Sequence, residues 1–382
     1  MAKTTQWEGV INLLEVNHIG SAKFLGLGGL FQVMHAIEDG VSSFDPHNAR
    51  RHGIDQRELL ARRDEMRRFY PRIRELIIEG LPEMRQRSTA LFSPSLNARG
   101  PGSFDDLVRL GDPILIEACL VSGVKATKSG TAYPLETAFS LIGKPETNPD
   151  SGAEQPKGSS RKVIFRMLVE RVAAESEDSR YGLGEAAQRL GRVMVNAVRD
   201  HGLIEEAEKL WHAGADRTAV TSHNRQSRGN ILHAIIIAKS ESRDSSVGAQ
   251  CDAFLGRVLE EALNNRYLMG RLLGQRAELK VSPIQYLVSP PREERDFKGE
   301  PSKEPSGFAI SPAQLSLQSD DWSTFFQLVS AMDDPRSLTL TASEWHKLAT
   351  FLSQNMEDNG TGGSGRPMSL PHLGVSGYLS GS

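Results

Sequence analysis

The residue types that could carry chemistry are concentrated near the start of the chain. Four of the ten histidines lie within the first 52 residues, with three carboxylates among them. Imidazole and carboxylate are common metal ligands, so this group could hold a metal ion. Neither an H-E-x-x-H helix nor a Cys-x-x-Cys pair is present, and no spacing is diagnostic, which favours scattered surface histidines. The residues concerned are His18, His35, His47 and His52, with Glu38, Asp39 and Asp45.

Two further features resemble reactive motifs, and we interpret both structurally. The stretch Gly26 to Gly29 could bind an anion through backbone N–H groups, but the last glycine of a dinucleotide fingerprint and a following Gly-Lys-Ser/Thr are missing. Cys119 and Cys251 lie in apolar helical patterns without a matching histidine motif, so we expect buried thiols. The sequence therefore predicts no catalytic residue, no bound metal and no cofactor.

The composition disfavours several classes of protein. A chain of 382 residues exceeds what one hydrophobic core usually holds, so we expect two structural units or an elongated array. The net charge of −3 disfavours a dedicated nucleic-acid binder. The start lacks the apolar region of a secretory signal, and no stretch has the ~20 apolar residues of a membrane span. Because two cysteines cannot form a disulfide framework, we expect a cytoplasmic protein.

The first part of the chain, residues 1–100, is predicted to form a helical N-terminal unit. Between Arg50 and Arg87 there are eleven arginines and seven acidic residues, which is typical of a solvated helix face. Binding of an acidic partner, lipid phosphate or nucleic acid is the alternative for this block. A helix is expected to run to Tyr70, and a second helix from Arg72 to Glu79 is expected to end at Gly80.

Polar and Gly-rich stretches separate the remaining helical segments. Residues 143–160 and 289–306 are polar and contain several helix breakers, which predicts two loops. A C-terminal capping helix is predicted for 333–354. Glycine and serine make up twelve of the 28 residues in 355–382, so little apolar surface can offset chain entropy and a disordered tail is predicted. Between 103 and 332 the amphipathic segments are short and helical, which gives an all-α prediction.

An internal repeat follows from the spacing of glycines. Gly123 follows Gly111 by twelve residues, and Gly214 follows Gly202 by the same number, with an apolar helical pattern inside each interval. Glycine tolerates the left-handed conformation that closes a helix, so these positions are predicted turns. Since a helix of about ten residues is marginal alone, each must pack on its neighbours.

Several segments resemble the ankyrin repeat. Residues 201–216 are similar to its second half, and residues 133–138, 229–234 and 311–316 share parts of the T-P-L-H-x-A pattern. The resemblance covers roughly 103–332 and implies an ankyrin-like helix-pair solenoid. It also implies that His233 satisfies neighbouring backbone groups, and that three aromatic side chains pack inside the array: Trp211, Trp322 and Phe325.

The same resemblance implies where a partner would bind. Ankyrin-like proteins bind partners on the concave side formed by their hairpin fingers and first helices, and the matching fingers here are Lys125 to Thr131 and Arg217 to Arg228. The second finger is rich in polar donors, and arginine is favoured at interfaces. An insertion at a tolerant site is the alternative interpretation. The predicted partner-binding residues are Arg217, His223, Asn224, Arg225 and Arg228.

These patterns predict a protein–protein interaction scaffold. It is expected to bind a protein partner, with nucleic acid disfavoured and no membrane span. The alternative is an enzyme whose N-terminal unit is catalytic or metal-dependent and whose repeats recruit substrate; metal analysis and alanine changes at His35 and His47 would separate the two. Arginine outnumbers lysine, as in many GC-rich genomes. For a bacterial source, a further hypothesis is an effector delivered into a host cell.

Overall fold

The structure is a computed structural model that describes part of the chain. Predictions for residues 1–69, for the loop at 289–306, for residues 143–158 of the loop predicted at 143–160, and for the segment after Gly360 lie outside the described residues. The loop prediction is wrong at residues 159–160, where a helix begins. The described residues are mostly helical, which confirms the all-α class. They are 70–82, 85–86, 104–126, 134–142, 159–178, 185–223, 226–242, 244–279, 308–335, 338 and 340–360.

Helices and short strands follow one another in a simple order. The described helices are α1 (70–82), α2 (Phe104–Leu110), α3 (Pro113–Val121), α4 (Pro134–Leu141), α5 (Ser159–Asp178), α6 (Glu185–His201), α7 (Ile204–His212), α8 (Ile231–Glu241), α9 (Ser245–Leu263), α10 (Arg266–Gly274), α11 (Pro312–Gln318), α12 (Trp322–Ser330) and α13 (Ala342–Gly360). Four strands form two antiparallel pairs, β1 (Thr221–His223) with β2 (Gln226–Gly229) and β3 (Ala277–Leu279) with β4 (Phe308–Ile310).

The chain divides into two compact units. Described residues within Met1–Val193 and Lys209–Ala215 belong to the first unit, and those within Met194–Glu208 and Asp216–Ser382 belong to the second. The boundary predicted near residue 100 lies outside the described residues. The described part of the predicted repeat region therefore contributes to both units.

In the first unit, the carboxylate of Asp112 joins α1 to α3. Its Oδ1 accepts hydrogen bonds from the first backbone N–H groups of α3, while its Oδ2 accepts one from the Tyr70 hydroxyl at 2.9 Å and lies 3.3 Å from Arg74 Nη1. Both oxygens of a buried carboxylate are thus satisfied, as burial requires. The predicted helix end at Gly80 is wrong, because α1 continues to residue 82 and buries Leu81. That burial offsets the cost of a glycine inside a helix, about 1 kcal/mol.

The predicted turn glycines adopt the left-handed conformation. The φ angles are +79° at Gly111, +96° at Gly123, +62° at Gly202 and +88° at Gly214, which confirms the prediction from spacing. Asp320 has a φ of +58° and plays the same part between α11 and α12, where the glycine pattern gave no signal. Each of these residues lets the chain leave a helix while its last carbonyls still accept hydrogen bonds.

In the second unit, the ammonium group of Lys239 joins three helices. It projects from α8 and donates to Asp252 of α9 at 2.5 Å and to Asp321, the N-cap of α12, at 3.1 Å. Burial lowers the pKa of Lys239, but the hydrogen bonds to the two carboxylates outweigh burial and the net pKa is raised. Lys239 is thus held as a cation between two acids.

Replacing this lysine should destabilise the second unit. We expect Lys239→Met to lower the free energy of unfolding by about 1–2 kcal/mol, because the mostly buried Asp321 loses its counter-charge. Urea unfolding followed by circular dichroism measures the change. Lys347→Met is the control, since Lys347 pairs with the exposed Asp320 and should change stability by about 0.5 kcal/mol or less. Equal effects of the two substitutions would contradict a special role for Lys239.

The last described helix, α13, begins with a capping box. Thr341 and Glu344 exchange side-chain and backbone hydrogen bonds at 3.3 and 2.8 Å. The helix packs Phe351 flat against Trp322, with 3.9 Å between ring centroids. It runs to Gly360, six residues beyond the predicted boundary at 354. Among the described helices, none is both long and apolar enough to cross a membrane.

Candidate functional site

The predicted finger, residues 217–228, contains a β-hairpin. Strands β1 and β2 pair antiparallel with Ser222 opposite Ser227, and the register shifts next to Thr221. Such a bulge adds local twist to a short ribbon. Thr221 is β-branched and buried, so it anchors the first strand. The all-helical class did not predict these strands, whereas the resemblance to the repeat implied a hairpin finger at this position.

Two of the five predicted partner-binding side chains are described. They belong to Arg217 and Arg228. Asn224 and Arg225 lie outside the described residues, and so does the side chain of His223. The site can therefore be built from the two arginines and from the residues at the base of the hairpin.

Both arginines form ion pairs with carboxylates on helices, one at each end of the finger. Arg228 of β2 meets Asp200 of α6 through both carboxylate oxygens, at 2.7 and 3.4 Å. Arg217 lies 3.1 Å from Glu261 of α9. The two arginine side chains remain 30% and 37% exposed, respectively. The pairs therefore fix the base of the finger and leave guanidinium surface open to solvent.

A third arginine, Arg199 of α6, contacts the backbone of the hairpin. It donates a hydrogen bond to the backbone carbonyl of Arg228. Burial lowers the pKa of Arg199, and the nearby charge of Arg228 lowers it further. Helix α7 lies between Arg199 and the finger in the sequence. No short-range pattern could therefore indicate that Arg199 contacts the hairpin.

The hairpin leads into α8 through a buried polar network centred on Asn230. The side-chain oxygen of Asn230 accepts from the N–H groups of Leu232 and His233, which caps the helix. Its amide nitrogen donates to the carbonyl of Leu272 in α10 at 2.7 Å. Asn230 therefore ties the start of α8 to α10 and fixes the direction in which the chain leaves the hairpin.

His233 completes this network and is fully buried. Its Nε2 lies 3.0 Å from the carbonyl oxygen of Ile310 in β4, and its Nδ1 lies 3.3 Å from the backbone nitrogen of Asn230. The geometry fits the tautomer with the proton on Nε2, which donates to Ile310 while Nδ1 accepts from Asn230. Burial lowers the pKa of His233 from 6.5 to about 4. The prediction that His233 satisfies backbone groups is confirmed.

Gly229, the last residue of β2, lies directly against the imidazole ring of His233. Its φ is +89°, a conformation that side chains with a Cβ rarely adopt. A Cβ added at this position would lie 2.5 Å from Cγ of His233. Only glycine therefore allows the hairpin and the histidine to keep their positions together.

Both cysteines are buried thiols in this structure. Cys119 and Cys251 are free and buried, as predicted. Burial raises the pKa of Cys119 to about 12 and that of Cys251 to about 11. Both side chains are therefore neutral thiols near pH 7, and a thiol is a poor nucleophile.

Other candidates for chemistry add little in the described part of the chain. No group of three or more His, Cys, Asp or Glu side chains could hold a metal there. The N-terminal histidines lie outside it. Of the finger from Lys125 to Thr131, only the first two residues are described, and the backbone N–H of Ala126 donates to Glu175 at 3.2 Å.

Comparison of the chain with protein-family models, with curated proteins and with solved structures finds no match.

Proposed function

We propose that this chain is a non-enzymatic scaffold for protein–protein interaction. It binds a protein partner through the finger formed by residues 217–228. The observation that carries the proposal is the hairpin itself, a two-stranded ribbon whose base is held by the ion pairs of Arg217 and Arg228 and by the buried Asn230–His233 network. Because this base is already ordered, binding costs less conformational entropy than ordering a free loop would.

The charge of the finger indicates a partner that offers acidic groups. Between Asp216 and Glu241 the sequence contains no acidic residue, while three arginines lie within the finger. Arginine presents planar, bidentate donors that suit carboxylates. The exposed fractions of Arg217 and Arg228 provide such donors beside their existing ion pairs.

An ankyrin-like solenoid is the architecture that we propose for the scaffold. The proposal is supported by the left-handed turns at Gly111, Gly202 and Asp320 and by the buried histidine that bonds the backbone near a helix start. Its place of action is proposed to be a cytoplasm, including that of a host cell if the source is a bacterium. The free buried cysteines are compatible with a reducing compartment. The alternative, an enzyme with a catalytic N-terminal unit, has no supporting observation among the described residues.

Affinity capture from a cell extract tests the finger. We expect the double variant Arg217→Gln, Arg228→Gln to recover its partners at least tenfold less well than wild type, because two arginine contacts to carboxylates are lost. Glutamine is used instead of glutamate because a carboxylate at either position would repel Glu261 or Asp200.

The matched control is Arg189→Gln. Arg189 is a similarly half-exposed arginine that pairs with Glu136 in the first unit, 3.1 Å away. Thermal unfolding of each variant checks that the fold is intact. Equal recovery by the double variant and the control would remove the finger as the contact surface.

A further inference from the structure

We propose a second docking surface on α10 that binds an acidic protein segment with one aromatic or aliphatic anchor residue. The surface consists of Leu263, Arg266, Tyr267, Gly270, Arg271 and Gly274, and is called the α10 face below. It rests on the proposal that the chain binds a protein partner, but it uses none of the residues of the finger.

Two large apolar side chains are exposed at the corner between α9 and α10. Tyr267 is 73% exposed and Leu263 is 64% exposed, on either side of the Asn264–Asn265 turn. The turn is fixed, because Asn265 caps α10 by accepting from the N–H of Leu268 at 3.1 Å. Tyrosine held on a rigid helix is a frequent hot spot of protein interfaces. The corner therefore offers an ordered, solvent-exposed anchor point.

Basic side chains flank the anchor point. Arg266 and Arg271 are exposed, and neither forms an ion pair or side-chain hydrogen bond within the described residues. From residue 262 to 277 the sequence contains three arginines and no acidic residue. Successive residues in a helix rotate by about 100°, so Arg266, Tyr267 and Arg271 lie on one side of α10. The opposite side holds the buried residues Leu268, Met269 and Leu272.

Two glycines, Gly270 and Gly274, lie between these side chains, and no contact in the described part of the chain requires them. A Cβ added at Gly270 or Gly274 would meet no atom within 4 Å, and neither φ lies in the left-handed range. Alanine would therefore fit at both positions and would favour the helix. Bare backbone at the centre of the α10 face allows a partner chain to approach closely.

The chemistry of the face selects a protein segment over a membrane or nucleic acid. The apolar side of α10 is already buried in the unit. The two exposed apolar residues, Leu263 and Tyr267, form a single corner and not the continuous apolar face that a helix inserts into lipid. The two arginines lie on a single short helix, so they can reach few phosphates of an extended nucleic acid, whereas a short acidic segment needs only one or two such contacts. A peptide with acidic residues on both sides of one apolar residue matches the arginines and the Tyr267–Leu263 anchor point.

Selection from a random twelve-residue peptide library against the full-length protein tests this inference. We expect recovered peptides to be enriched in Asp and Glu around one aromatic or aliphatic residue. Binding of a recovered peptide, measured by fluorescence anisotropy, should weaken at least tenfold in Tyr267→Ala and in the double variant Arg266→Gln, Arg271→Gln. Trp345→Ala is the matched control for an exposed aromatic residue on α13, and Arg192→Gln for an exposed arginine on α6; both should bind as wild type does.

A glycine substitution separates binding from stability. We expect Gly270→Ala to raise the melting temperature and to weaken peptide binding at least threefold, because the new methyl group lies where the peptide backbone would approach. A purely structural role for α10 predicts unchanged binding in this variant.

The outcomes distinguish this inference from the proposed function. Acidic peptides that are lost in the Arg217, Arg228 double variant but retained in the α10 variants would overturn the α10 face and leave the finger in place. Recovery of no acidic peptides would overturn the α10 face. The affinity-capture experiment with the Arg217, Arg228 double variant would still test the proposed scaffold function. Stronger binding of a duplex DNA oligonucleotide or of phosphatidylserine vesicles to the wild-type α10 face would overturn the choice of a protein segment.

Discussion

Gly229→Ala is expected to destabilise the second unit by about 3–5 kcal/mol. A residue with a Cβ in the left-handed conformation costs about 1–2 kcal/mol. The new Cβ would also lie 2.5 Å from Cγ of His233, so the ring must move. Moving it breaks the buried hydrogen bonds to Ile310 and Asn230, at about 1–3 kcal/mol for each polar group left unsatisfied.

Hydrogen exchange of the α8 amides and thermal unfolding measure this loss. Gly256→Ala in α9 is the control, because a Cβ there meets nothing within 4 Å and the φ is not left-handed. That substitution should stabilise the unit by up to about 1 kcal/mol. The two glycine-to-alanine changes should therefore change the free energy of unfolding in opposite directions. A Gly229→Ala protein with the melting temperature of wild type would refute the close contact between Gly229 and His233.

Acidification is expected to lower the free energy of unfolding of the second unit through protonation of His233. In the unfolded chain this histidine takes up a proton near pH 6.5, whereas burial lowers its pKa in the folded state to about 4. Between these values the unfolded state binds more protons, so stability falls as pH falls. The slope approaches about 1.4 kcal/mol per pH unit, and the loss across the window is about 3 kcal/mol.

Native-state hydrogen exchange of the α8 amides between pH 7.5 and pH 4.5 checks the slope. His233→Gln is the comparison, because glutamine can still form hydrogen bonds at that position but does not titrate. We expect the variant to be less stable than wild type at pH 7.5 and to lose less stability on acidification. Parallel pH profiles for the two proteins would show that another group controls the acid sensitivity.

The two effects converge on one region that joins the hairpin to α8. His233 lies beneath Gly229, and its ring nitrogens face the backbone of Ile310 and Asn230. Changes that move this ring should therefore also disturb the finger. Partner capture by Gly229→Ala protein at low temperature, where the fold persists, is expected to fall together with that of the Arg217, Arg228 double variant.

Part of the candidate site follows from short sequence patterns. The glycine spacing located four turns, and the resemblance of residues 229–234 to a repeat pattern placed His233 against backbone groups. The same resemblance located the finger at residues 217–228, and its polar composition distinguished it from the finger at 125–131. These predictions succeed because they depend on steric rules and on partners within a few residues, such as the cap that Asn230 provides to Leu232 and His233.

The rest of the site required the tertiary structure. Arg228 pairs with Asp200, 28 residues away, Arg217 with Glu261, 44 residues away, and His233 with Ile310, 77 residues away. Neither Arg199 nor the α10 face is marked by a short sequence pattern. Gly80 was predicted to end a helix because the burial of Leu81, which continues the helix, is visible only in the packed structure. Composition and spacing alone determined the helical class, the turns and the basic character of the finger, since those depend on the backbone and its near neighbours. Which charges are paired, and which surface stays open, is decided by how distant segments pack together.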